Sequence, residues 1–200
     1  MNKLAAVNLI LRAAGFLPVP ALDTNGSSIA AEAERTLDER ELEVQQMAWN
    51  YNHRFDITLS PDASNHITLP TGCLWIDAYG ASSGGNITAL GDHLYDQDED
   101  TDEFTTDIVV EYRLRYEWGC IPLHVRQYIA ADAAAEFNQL RGRQSFQARL
   151  ELKRDTSRTR ALQLDGDQQD VNTLNTSFAR GVRGNRHGYA GGTGEAENYA

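Results

Sequence analysis

The chain has 200 residues, 41% of them apolar, and a formal net charge of −11. That length suits one domain, or one domain plus tails, and that apolar share supports a packed core, which excludes a wholly disordered chain. The acidic balance argues against a dedicated nucleic-acid binder, and no apolar run approaches the roughly 18 residues of a membrane span.

The first fifteen residues, MNKLAAVNLILRAAG, hold one early positive charge and a short apolar core broken by Asn8 and Arg12. Leu4, Val7, Leu11 and Ala14 recur at helical spacing, so an amphipathic helix over 2–14 fits better than a signal peptide. Asn2 can cap it, and Gly15 can end it in a left-handed turn. Pro18-Val19-Pro20 then holds the chain extended.

A long helix is expected over 28–50, behind the turn and cap residues Asn25 to Ser28. Ile29, Ala33, Leu37, Val44, Met47, Ala48 and Tyr51 recur at steps of three and four; Glu32, Arg35, Glu39, Glu43 and Gln46 lie opposite. Trp49 reads as a core packing residue. Arg40 and Glu41 break the stripe, as a solvated edge or a contact with a neighbouring subunit.

From 54 to 118 the period changes to two. Strands are expected at 55–59, 66–69, 74–79, 86–90, 93–96 and 108–118, separated by turn residues such as Pro70-Thr71-Gly72 and Gly91-Asp92. The last is the clearest. It puts Val109, Glu111, Arg113, Arg115 and Glu117 on one face, and Val110, Tyr112, Leu114, Tyr116 and Trp118 on the other. Short connections favour an antiparallel meander.

The helical period returns over 122–141, with Val125, Tyr128, Ile129, Ala133, Phe137 and Leu140 in one stripe. A second helix, 144–164, is thin in apolar residues: Phe146, Leu150, Leu152 and Leu162. So polar a helix is either solvated or packed on another molecule. Gly-rich residues 179–200 read as a flexible tail. The fold class is α+β: a helical bundle with an inserted antiparallel sheet, as one domain over 1–178.

No set of residues stands out for catalysis. Gly80-Ala81-Ser82-Ser83-Gly84 matches a nucleophile-elbow pattern, but a strand rather than a helix follows, so a hairpin turn is the better reading. Residues 92–107 hold eight acidic side chains. Asp96, Asp98 and Asp100 have the spacing of a calcium loop, yet Thr101 stands where that loop needs Gly and no helices flank it. A solvated acidic loop remains. His53, His66, His93, His124 and His187 are scattered without catalytic or metal-ligand spacing. Cys73 and Cys120 sit among apolar neighbours and read as two buried thiols in a reducing cytoplasm. Of the 18 basic residues only Lys3 and Lys153 are lysines. Arg suits fixed contacts with carboxylates, as packed interfaces use them.

Ala6-Val7-Asn8-Leu9-Ile10-Leu11, Gly15, Pro18-Val19, Leu22, Ile29 to Ala33, Leu37, Gln45 and Trp49-Asn50-Tyr51-Asn52 together resemble the opening of tail tubular protein A of short-tailed bacteriophages. Pro122, Ile129-Ala130-Ala131 and Ala135-Glu136-Phe137-Asn138 are similar to that family's next helix. The resemblance covers about the first sixty residues and 122–142; the strand region and the tail fall outside it. It implies a structural adaptor without enzymatic activity or cofactor: a ring of twelve copies joining the portal to the tail nozzle, tubular protein B, with genomic DNA passing through. Tail fibres are a further candidate partner, and no membrane is involved. The protein would be made in the host cytoplasm and end in the virion tail. The competing readings are a carbohydrate hydrolase using Asp and Glu, and a tail-associated DNA-binding protein acting through Arg180, Arg183 and Arg186. Interface residues are expected on the 144–164 helix and the tail: Arg143, Phe146, Arg149, Leu150, Arg154, Arg158 and Arg160, with Phe178, Arg180, Arg183 and Arg186.

Overall fold

The computed structural model describes residues 1–22, 28–78, 86–142 and 146–168. Within them the chain is α+β: four α-helices, a three-stranded antiparallel sheet and a two-stranded hairpin.

Helix α1 spans Lys3–Ala13; the Asn2 side chain accepts the Ala5 N–H at 2.8 Å. Its end is closed by Gly15 at φ 75, with Phe16 N donating to Leu11 O at 2.8 Å, the left-handed cap that glycine favours. Asn8 does not weaken this helix. Its amide brackets the extended Pro18–Pro20 stretch through both backbone groups of Val19, at 2.9 and 2.7 Å.

Helix α2 spans Ile29–Gln45, with Ser28 accepting from Ala31 N at 3.1 Å. It stops about five residues short of the expected 50. Asn52, fully buried, donates to the Gln45 carbonyl at 2.6 Å and accepts from Trp49 N at 3.1 Å. Side-chain bonds thus replace the next helical turn. Trp49 is in the core as expected, and its indole donates to Val44 O at 2.7 Å. The polar break is used within the subunit: Arg40 pairs with Asp132 at 2.7 Å, and Glu41 is buried beside Gln45.

Strand β1 (His53–Leu59) and strand β2 (Cys73–Ala78) flank strand β5 (Ile108–Leu114), giving the order β1-β5-β2; β3 (Ile87–Leu90) and β4 (His93–Asp96) form a separate hairpin. The expected meander is therefore wrong for the larger sheet, because the last strand enters between the first two. No strand forms over 66–69; that stretch makes only isolated bridges, His66 to Glu103 and Thr68 to His93. Gly91, at φ 66, starts the tight turn of the hairpin.

The alternation after Ile108 continues past the strand, but serves two cores. Ile108 and Val110 lie with Ile67, Leu94 and Phe104 in a small cluster, whereas Trp118, in a 3-10 turn (Trp118–Cys120), joins the helical core with Tyr116 against it. Strand β5 ends at Leu114 because the chain must cross from one core to the other. Gln45 fixes that crossing, accepting from Tyr116 N at 2.8 Å and donating to Tyr116 O at 2.9 Å.

Helix α3 (Leu123–Leu140) is buried along most of its length and touches α1, α2 and α4. Its alanines at 130, 131 and 133–135 let neighbouring helices approach closely. Phe137 packs edge-on to Phe16, 6.4 Å between ring centres. Leu140, expected in the buried stripe, is exposed at the helix end. Helix α4 (Gln147–Gln168) lies on α3, four residues longer at its C-terminus than expected. The thiols also differ from expectation: Cys73 is half-buried and Cys120 exposed.

Candidate interaction surface

Helix α4 carries five of the expected interface residues, Arg149, Leu150, Arg154, Arg158 and Arg160, with Phe146 just before its first residue. Among its described residues only Leu150, Ala161 and Asp165 are buried, a narrow stripe on the helix that lies against α3. Asp165 anchors the far end by accepting from the Asn50 backbone N–H at 3.1 and 3.2 Å. The other sides stay open. Phe146 is 53% exposed, Leu152 69%, and Leu162 and Leu164 are exposed too. Three exposed leucines on one polar helix, with an exposed phenylalanine just before it, mark a surface suited to a partner.

Arg149, Arg158 and Arg160 are exposed; Arg154 is half-buried and pairs with its neighbour Asp155 at 3.0 Å. Arg143, Phe178, Arg180, Arg183 and Arg186 lie outside the described residues, as do the Gly80–Gly84 pattern and His187. Arg149 and Lys153 line a cavity of about 470 Å³ between α1 and α4, shared with Leu9, Arg12, Phe146 and Leu150. Sequence reasoning missed the α1 side of that seam. Its signal was Arg12, a charge near the end of a mostly apolar helix.

The sheet presents a second surface. On its side away from the small core, the Arg113 guanidinium lies 4.1 Å over the Trp75 ring and donates to Gln46 O at 2.9 Å. His53 sits 3.4 Å from the Glu111 carboxylate and against Phe55, which is itself exposed. Burial pushes the His53 imidazole below its ordinary pKa, more than Glu111 raises it. That shift favours the neutral form of the imidazole.

The acidic loop is ordered by its own backbone. Asp96 accepts from the N–H of Asp98 at 2.9 Å and of Glu99 at 3.2 Å, and Asp98 accepts from Asn86 N at 2.9 Å. Among the described residues no group of His, Cys, Asp or Glu is placed to hold a metal ion. His66 and His93 meet edge to face at 5.3 Å, beside Asp102 and Asp92 respectively. Among the described residues no nucleophile is hydrogen-bonded to either.

A small sheet joined to packed helices, with open apolar side chains on α4, presents a surface suited to association. The profile of the tail tubular protein family matches residues 4–171, and the chain belongs to that family. The match includes the strand region, which the resemblance in the sequence did not reach. No curated relative matches the chain. Membership assigns a structural role in a phage tail. Among the described residues no helix is long and apolar enough to cross a membrane.

Proposed function

We propose that this tail protein is a head-to-tail adaptor, one domain over 1–178 with a tail at 179–200. Copies close into a ring, twelve by family resemblance, which joins the portal to the tail nozzle and encloses the path of the ejected genome. Its work is docking, not chemistry. Helix α4 supports this reading most strongly, since it is held on one stripe and leaves Leu152, and Phe146 just before it, in water. A solvated monomer gains nothing from that arrangement, whereas a partner that covers those side chains does.

The excess of carboxylates fits a conduit for DNA, because an acidic wall disfavours adhesion of passing phosphates. Reversing the carboxylates of the lumen should impair genome retention or smooth ejection; unchanged ejection would place that charge elsewhere. For the adaptor role itself, the test is capture of purified portal and nozzle proteins by the full chain and by a chain ending at Gly181. Full-length binding with weaker binding of the truncated form is expected. Failure of the full chain to bind either protein contradicts the adaptor role, and undiminished binding by the truncated chain removes the tail from it.

A further inference from the structure

Charge is divided unevenly between the two parts of this chain. Residues 55–112 contain twelve Asp and Glu and no Lys or Arg; all 18 basic residues lie outside them. That stretch alone carries −12 against −11 for the whole chain, with Arg54 and Arg113 at its two edges, and the remainder of the chain is close to neutral.

The helices nevertheless concentrate cations in one place. Two cavities, of about 470 and 340 Å³, adjoin along the seam of α1 and α4 and share Leu9 and Lys153. Arg12 and Arg149 line the first and Arg160 the second; no acidic side chain lines either. Arg149, Lys153 and Arg160 follow one another at four and seven residues, which keeps them on one side of a helix. All four cations are exposed, and none has a carboxylate partner among the described residues. Leu9, Ala13 and Leu150 supply apolar lining between them. Such a groove matches a compact acidic turn better than a flat apolar face.

This chain carries that turn. After β4 it is fixed by the carboxylate caps of Asp96 and Asp98, so little ordering is left for binding to impose. Glu99, Glu103 and Asp107 are exposed on it and take part in no ion pair among the described residues. No described ion pair joins turn to groove within one chain. Two unlike, complementary surfaces on identical chains form a heterologous contact, which repeats head to tail and generates a ring when the rotation closes.

We infer that the α1–α4 groove of one copy receives the acidic 96–107 turn of the next. The inference rests on the ring reading above and names the surfaces that make it. Like charges set opposite each other at such a contact weaken it strongly.

The test is native mass spectrometry of the full chain in four forms: unaltered; groove-reversed with Arg149→Glu, Lys153→Glu and Arg160→Glu; turn-reversed with Glu99→Lys, Glu103→Lys and Asp107→Lys; and the two reversed forms mixed. The unaltered chain should assemble. Each reversed form alone should associate at least about tenfold more weakly. The mixture should recover assemblies holding both forms in equal number, because each groove then faces an opposite turn. A second pair with Gln at the same positions, weakened alone and less salt-sensitive, keeps the test open if a reversed form fails to fold by circular dichroism. Recovery in the mixture is the supporting result. Assembly of either reversed form as readily as the unaltered chain overturns the contact while leaving the ring intact, and so does a mixture that stays single-copy. Salt-dependent duplex DNA binding that groove reversal abolishes, with assembly untouched, makes the groove a phosphate site and also overturns it. An unaltered chain that never assembles removes the ring reading and this contact together.

Discussion

The helical part and the sheet part of this molecule solve the same problem with different means. The helices bury Phe137, Trp49, Ile10, Leu11 and Leu37 together with Gln45 and Asn52, whose amides are all committed to named backbone groups. The sheet part rests on five buried apolar residues around Val110 and Leu94, in a region where carboxylates far outnumber the two arginines, Arg54 and Arg113, at its edges. The difference separates two jobs. Stability is concentrated where charge is balanced, and charge is concentrated where the core is small.

The contrast can be broken or sharpened in four steps. Phe137→Ala empties the contact with Phe16 at the centre of the helices, and about 3–5 kcal/mol of global stability should be lost in denaturant unfolding. A loss under 1 kcal/mol would mean that the helices are not the main source of stability. Leu94→Ala should cost about 2–5 kcal/mol, read by hydrogen exchange. Amides of β3 and β4 should exchange faster while those of α1 and α3 hold; equal loosening of α3 would show that the two cores act as one. Asn52→Ala removes the bonds that end α2 and orphans the Gln45 carbonyl, at a cost of about 1–3 kcal/mol in thermal melting.

The smallest effect has the opposite sign. Burial, reinforced by Asp38, holds the Glu41 carboxyl above the ordinary carboxylate range. The unfolded chain then gives up this proton first as pH rises, so the fold loses stability between the ordinary value and its own raised value. Glu41→Gln should therefore raise the melting temperature at pH 7, and the gain should vanish below about pH 4. A variant no more stable at pH 7 would place Glu41 in a compensating ion pair.

Much of this was legible in the sequence. Period and caps placed all four helices, with Asn2, Ser28 and Gly15 at or next to their ends. What was hidden lay in long-range side-chain bonds. Nothing local to 46–52 announces that Asn52 will take the place of a helical turn, or that Gln45 will grip Tyr116 seventy-one residues away. The strand order was hidden for the same reason, since pairing β5 between β1 and β2 is a choice between surfaces, not a property of any turn. For the association surface, the polar composition of 144–164 pointed to α4. The groove itself became visible only when α1 brought Arg12 beside Arg149.

The most direct measurement of the central claim, that this tail protein exists to assemble, is the native mass of the full chain over a concentration series. The account predicts a closed species of many copies at micromolar concentration, dissociating as salt is raised. A single-copy mass of about 22.2 kDa at every concentration and salt would contradict it.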